Sequence, residues 1–472
     1  MKNIYFFEFC NLTPHLETSL EIAKLHLDKG DKVFFYFLGH DVPYRESIFP
    51  THISGKFLGD LLPERKGAKL LEHPNFKFIT NVDIPKAGYV IPAVNDIEDL
   101  KSITYENWDL GMAVASSLIS STKNSKPDMR KYSKLVSKMA KSVVSIYHFV
   151  TDVLMTANAS NVYIFNGRFC NQRAVLRACE FMNVPYLIQE RGANKNLYFL
   201  RRFMPHDKNS IQAEMKTTWE NLQDKKGGEE IAVNWFRNRR SGMDTDWYSY
   251  SKMQQQNSLP AIDKDKHLVT YFHSSDDEYA AIGDQFLWIG WKDQYDAVTQ
   301  LIHLVKDMQG VQLVIRLHPH LAKKSKEENI KWAALAELSD KITVIPPTSV
   351  VDSYALIDNS NLVISAGSKA GIEAVFYGKP SVLLGPSPYD GLDVTYEAYD
   401  IKTLSVLVLD PVLPLKNHEN LLMYGYWWAT HGDRFKYYTA ESLSKGKFMG
   451  VNLQEKPPVF SMLLSAKRKI LK

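Results

Sequence analysis

LVISAGSKAGIEAVFYGKPSVLL, residues 362–384, reads as an apolar strand, a turn of small residues and hydroxyls, a short helix and a second apolar strand. Ahead of it, VQLVIRLHP at residues 311–319 is another apolar run stopped by proline. Further strand-like runs occur at 267–272 and 342–345, and helical runs at 293–307, 326–338 and 369–377 separate most of them. Strands alternating with helices predict a doubly wound parallel sheet in this half. Working outward, residues 3–9, 16–29 and 32–38 give a strand, a helix and a strand, and 161–165, 173–182 and 185–189 repeat the pattern. Residues 201–263 are polar and aromatic, rich in Gln, Lys and Arg, and read as a linker. The expected class is α/β with two Rossmann-like lobes. Their bounds are 1–260 with the linker at the end, 261–420, and a helical tail at 421–472.

A chain of 472 residues exceeds what one hydrophobic core usually serves. With 45% hydrophobic and 23% charged residues it belongs to the ordinary globular class. Its 57 basic and 53 acidic side chains leave a formal charge of +4, too balanced for a nucleic-acid partner, so any anion must be gripped locally. Cys10, Cys170 and Cys179 lack metal-ligand spacing and suit a reducing compartment. The N-terminal run reads as a strand rather than a signal peptide, and no stretch of 18 apolar residues occurs, so the expected location is cytoplasmic. The tail ends in FSMLLSAKRKILK and leaves two readings open. It packs back on the first lobe, which is favoured, or it is a basic amphipathic helix that brings the protein to the inner face of the cell membrane.

His318 stands just beyond a parallel strand, where doubly wound sheets bind ligands, and Pro319 restrains it to an extended backbone. There it either offers a hydrogen bond or a charge to phosphate oxygens, or satisfies a loop carbonyl. After the strand at 362–364, Ser365, Gly367, Ser368, Lys369 and Gly371 lead into a helix, whose N-terminal amides and dipole suit an anion. Glu373 accepts ribose hydroxyls or is a first-turn carboxylate favoured by the dipole. Ser274 and Ser275 follow the strand at 267–272 and either cap a helix or meet the same ligand. Asp276-Asp277 offers too few oxygens for a hard cation, and Asp244-Thr245-Asp246 lies in the polar linker. No metal is expected.

The order R-L-H-P at 316–319, S-x-G-S-x-x-G-x-E-A at 365–374 and Y-G-K-P-S-V-L-L at 377–384 resembles the nucleotide-sugar lobe of GT-B glycosyltransferases. The resemblance is especially to bacterial capsule and surface-polysaccharide enzymes. An HP motif with a serine-rich loop resembles those using CMP-activated acidic sugars, the Kdo transferases, sialyltransferases and polysialyltransferases. The resemblance implies two lobes facing a central cleft, with Arg316, His318, Pro319, Ser365, Gly367, Ser368, Lys369 and Glu373 on the donor, and Ser274 and Ser275 in second rank. It also implies a carboxylate base in an acidic-acidic-glycine motif. Here Glu190-Arg191-Gly192 is the counterpart, with arginine in the second acidic position. Glu190 is that base, with His318 as its catalytic partner on the phosphate, or is paired with Arg191 or Arg168 structurally. Asn166, Arg168, Arg191 and His15 are acceptor-binding candidates, and His15 is a rival base. The implied activity is a metal-independent, inverting transfer from a nucleotide sugar, CMP-sugar favoured, to an oligosaccharide or glycolipid acceptor in capsule, O-antigen or related synthesis. The nucleotide sugar is a co-substrate, and no cofactor is expected. G-x-E-A-x-x-x-G-K-P at 371–380 is shared with UDP-sugar transferases and sugar epimerases, so the donor stays open. A nucleotide-sugar epimerase and a non-catalytic glycan-assembly subunit of the same fold are the alternatives.

Overall fold

Strand β1, Asn3–Glu8, is apolar on both faces and almost wholly buried, as a central strand covered by helices on both sides must be. The computed structural model describes residues 1–39, 41–45, 62–245, 248–410 and 412–455. The chain divides into two compact units, the first made of Met1–Leu118, Pro127–Pro205 and the chain from His431 on, the second of Ile119–Lys126 and His206–Thr430.

In the first unit β1 pairs in parallel with β2, Lys32–Phe37, on one side and with β4, Asn161–Phe165, on the other. With β3, Phe76–Ile79, β5, Tyr186–Arg191, β6, Leu197–Arg201, and β13, Asp433–Arg434, the order is β3-β2-β1-β4-β5-β6-β13. Only β6 and β13 run antiparallel to their neighbours. The helix His15–Asp28 links β1 to β2 and stops at Gly30, whose φ of +80° is the left-handed conformation that ends a helix without steric cost.

The second unit holds β7, His267–Phe272, β8, Val311–Arg316, β9, Ile342–Ile345, β10, Leu362–Ser365, β11, Ser381–Leu383, and β12, Tyr396–Glu397. Their order is β12-β11-β10-β7-β8-β9, and every pair is parallel. Alternate residues of one strand enter different cores, Val269 and Tyr271 joining Leu313, Ile315 and Ile364 while Leu268 and Phe272 join Val314 and Val363. Each sheet therefore has the doubly wound order 3-2-1-4-5-6, in agreement with the α/β expectation.

The unit boundaries differ from those read in the sequence. Residues 206–260, read as a linker closing the first lobe, belong to the second unit and contain the helices Lys208–Glu220 and Lys225–Arg240. Their polar surface masked an apolar stripe: Met215, Trp219, Ala232, Trp235 and Phe236 are buried against Tyr424 and Trp427. The tail at 421–472 is not one body. The helix His418–Thr430 lies in the second unit, whereas the chain from His431 supplies β13 and the hairpin Tyr438–Ser442 and Lys445–Phe448 to the first. The basic segment read as a helix lies outside the described residues. Among the described residues, no helix is long and apolar enough to cross a membrane.

Candidate functional site

In a doubly wound sheet the loops at the carboxyl ends of the strands part at the point where strand order reverses. In the second unit this lies between β7 and β10. The loops that follow them carry His273-Ser274-Ser275 and Ala366-Gly367-Ser368, and the loop after β8 carries His318-Pro319-His320.

His318 caps the turn Pro319–Lys323, its Nδ1 accepting the His320 N–H at 3.1 Å. An Nδ1 used as an acceptor leaves the proton on Nε2. Burial, reinforced by His320, Lys324 and Arg316, lowers the imidazole to about 4. At neutral pH it is thus an uncharged donor, which removes the cationic role from the two offered by the sequence. His273 accepts the His318 N–H at 3.4 Å and is likewise held neutral, chiefly by burial.

Ser274 is buried, and its backbone is fixed on both sides by Gln294, whose Oε1 accepts its N–H at 2.8 Å and whose Nε2 donates to its carbonyl at 3.1 Å. Its Oγ has no hydrogen-bond partner among the described residues. A buried hydroxyl left open in this way is costly in an empty protein and suited to a ligand. Ser275 is committed elsewhere, donating to Asp277 at 2.7 Å, and Asp277 is paired with Lys324 at 2.9 Å. The neighbouring Asp276 is raised to about 7 by burial, although Lys324 and the Gln294 amide draw it down.

Gly367 has φ +107°, and a Cβ there would lie 2.5 Å from the Pro386 carbonyl oxygen, so glycine is required. Ser368 caps the helix Lys369–Phe376 by accepting the Ala370 N–H at 3.3 Å, leaving its first turn in the expected place. Lys369 holds its ammonium 4.3 Å from the centre of the Trp428 ring. Pro319 opens the turn after His318 and is half-buried.

Three donor candidates are corrected. Ser365 is fully buried, its Oγ 3.3 Å from the Tyr389 hydroxyl, and a Cβ on Gly371 would meet both oxygens. It lies beneath the helix rather than on a ligand, and Gly371 allows that close approach. Arg316 is buried and donates to the carbonyls of Pro346 at 2.7 Å and Ser349 at 3.0 Å, so it fastens the loop after β9. Glu373 is buried in an ion pair with Arg239, so its carboxylate is not open to a ribose.

In the first unit the order reverses between β1 and β4. Asn166 and Gly167, with φ +57° and +76°, turn the chain sharply after β4. This aims the Asn166 amide at Glu190 Oε2, 2.6 Å away, while the Arg191 N–H donates to Oε1 at 2.9 Å. His15 Nδ1 lies 3.5 Å from the same Oε1, and its ring packs on Phe165 with centroids 4.0 Å apart. Burial works to raise Glu190, but His15, Asn166 and Arg191 together lower it. His15 itself is lowered to about 4, first by burial and then by Arg191, against the pull of Glu190. A neutral imidazole gives little Coulombic help, so the two hydrogen bonds from Asn166 and the Arg191 amide keep the carboxylate ionised. Glu190, Asn166 and His15 therefore come together. Arg191 adjoins them, while the Arg168 guanidinium lies over Phe169, 4.6 Å from the ring centre.

Several participants escaped the sequence. Gln189 Nε2 donates to the His15 carbonyl at 3.4 Å and to Ser19 Oγ at 3.2 Å. Ser19 in turn donates to Glu8, a buried carboxyl raised to about 8 by burial. Glu17, also buried, is raised to about 7 for the same reason. Polar residues recurring inside the apolar runs 3–9 and 185–189 were the available signal for Glu8 and Gln189. Nothing in spacing pointed to Tyr389. Among the described residues, no group of three His, Cys, Asp or Glu could hold a metal ion. Asp244 is paired with Lys252 at 2.7 Å, and Asp246 lies outside the described residues.

No family model and no curated protein matches the chain. Among solved structures it is similar to the beta Kdo 2,4 transferase KpsC of Thermosulfurimonas dismutans, with 12% identity, coverage of 57% of this chain and 79% of that one, and a TM-score of 0.37. It is also similar to the UDP-GlcNAc 2-epimerase of Neisseria meningitidis bound to UDP-GlcNAc, with 12% identity, coverage of 86% and 90%, and a TM-score of 0.30. The UDP-GlcNAc 2-epimerase of Methanocaldococcus jannaschii gives 12% identity, coverage of 91% and 98%, and a TM-score of 0.29. The two sheets rest on the strand orders given above.

Proposed function

We propose that the chain is a glycosyltransferase that moves a sugar from a nucleotide-activated donor, a CMP-sugar in the favoured case, to a surface-glycan acceptor. The contrast between the two switch points carries this reading. One offers groups suited to an anion, namely the His318 Nε2–H, the open Ser274 hydroxyl and a helix N-terminus, while the nearby Asp277 carboxylate is taken by Lys324. The other offers an ionised carboxylate beside a neutral histidine.

An inverting transfer needs both sets. Glu190 takes the proton of the acceptor hydroxyl as that oxygen bonds to the anomeric carbon. The bond to the nucleotide phosphate breaks, and the electron pair leaves with the phosphate, whose new charge is met by His318, Ser274 and the amides of the helix beginning at Lys369. No step calls for a metal. The three cysteines are free and buried, which suits a reducing compartment, and an oligosaccharide or glycolipid is the acceptor class.

A thermal-shift panel with CMP, UDP and GDP tests the donor, because a ligand that binds only the folded protein raises its apparent stability. A shift with CMP alone supports the favoured donor, and a shift with UDP alone rejects it. Glu190→Gln should abolish transfer while the nucleotide shift persists, and normal turnover in that variant removes Glu190 from the mechanism. A 2-epimerase is the second reading, favoured by the additional acids Glu8 and Glu17, whose carboxyls burial raises to about 8 and about 7. It predicts conversion of a UDP-sugar without any acceptor, which proton NMR would detect.

A further inference from the structure

A formal charge of only +4 conceals an uneven spread of basic residues. The helix Met129–Thr156 begins MRKYSKLVSKMAK, and from Met129 to Thr151 it holds no acidic residue. Asp128, just before it, is occupied as its cap, accepting the N–H groups of Arg130 and Lys131 at 2.9 and 3.2 Å. Arg130, Lys131, Lys134, Lys138 and Lys141 are all exposed, and none forms an ion pair among the described residues. At helical spacing they fall within a sector of roughly 100° and form a stripe roughly 16 Å long. The opposite side, with Val136, Met139, Ala140 and Val143, is buried in the first unit. Further along the charged face, Ser145 is buried and accepts the Ala87 N–H at 3.0 Å. The protein thus covers this face where the charges end. Tyr132 borders the stripe, half-buried, with the Lys131 ammonium 5.2 Å from its ring centre.

The side of a helix is convex, so a small anion or a single narrow chain finds no enclosure on it. A broad negative plane, in contrast, meets all five heads at once, each on a flexible stem. We propose that this face docks the protein on an anionic lipid surface. The proposal is independent of the sugar-transfer reading. Such attraction decays within a Debye length of about 8 Å at physiological salt, so it acts in close contact and is released by added salt.

The test is cosedimentation of the full chain with vesicles of phosphatidylcholine alone and of phosphatidylcholine with phosphatidylglycerol. The protein should bind only the latter and be released at high salt. The triple variant Lys134→Ser, Lys138→Ser, Lys141→Ser should lose on the order of a hundredfold in partitioning, at about fivefold per cation. Its melting temperature should match the wild type, since all three side chains are exposed, and the corresponding triple arginine variant should bind normally. A second variant, Lys467→Ser, Arg468→Ser, Lys469→Ser, neutralises the basic tail and should keep most of the binding. Binding to neutral vesicles, no binding to anionic ones, an unaffected stripe variant, or loss in the tail variant alone would each overturn the proposal. So would dextran sulfate captured through the same three lysines by a protein that ignores vesicles, which would assign the face to an acidic polymer.

Discussion

Glu8 shows how a single side chain sets the pH response of the first unit. Its carboxyl is raised to about 8 in the folded chain, against an ordinary value of 4.5. The folded state therefore holds a proton that the unfolded state releases, and this costs stability increasingly as pH rises from about 4.5 to about 8. His15 acts with the opposite sign, since its neutral folded form costs stability as pH falls from 6.5 towards about 4. Glu8→Gln should consequently raise the melting temperature more at pH 8 than at pH 5, by roughly 5 °C or more. Equal gains at both values, measured by calorimetry, would mean that Glu8 is ionised in the folded protein. Sequence alone flagged His318 and Glu190 because each follows an apolar run. It did not reveal that Ser365 points inward or that Glu373 is taken by Arg239, because those facts depend on Tyr389, beyond the following strand, and on Arg239, 134 residues away.

At the scale of elements, the central strands were legible because a parallel sheet covered on both faces demands unbroken apolar runs. The helices at 208–240 were not, since their buried residues are spaced along a surface otherwise dense in Lys, Glu, Gln and Asn. β3, FKFI, is four residues long and only half-buried, too brief to stand out from its polar surroundings. The turn after β10 was legible in a stronger sense, because its glycine answers a steric demand. Gly367→Ala forces a methyl onto the Pro386 carbonyl at a left-handed φ. We expect a stability loss of about 2 to 3 kcal/mol by urea denaturation. Nucleotide affinity should fall as well, because Ser368 and the first turn of its helix move with Gly367. Wild-type stability in this variant would show that the loop adjusts freely.

Across the whole molecule, bonds between remote positions hold the first unit together. The Glu21 carboxylate accepts the N–H groups of Lys436, Tyr437 and Tyr438 at 2.7, 2.8 and 2.9 Å, joining residues more than 400 positions apart. Glu21→Ala strands three amides, and the expected loss is about 2 to 4 kcal/mol. Limited proteolysis should then cut the chain at 431–455 well before the rest, and an unchanged digestion pattern would show that packing of Tyr438 and Phe448 alone suffices. None of this could be read from the sequence, because no local pattern announces a partner at that separation.

The polypeptide leaves the first unit at residue 205 and re-enters it at residue 431, where β13 extends the edge strand β6. During synthesis the second unit has all its strands before the ribosome delivers the piece that completes the first. The early-made half must wait with one rim of its sheet uncapped and the Glu21 carboxylate without its three amide donors, so a chain cut short before residue 431 leaves the older part of the protein unfinished and the younger part whole.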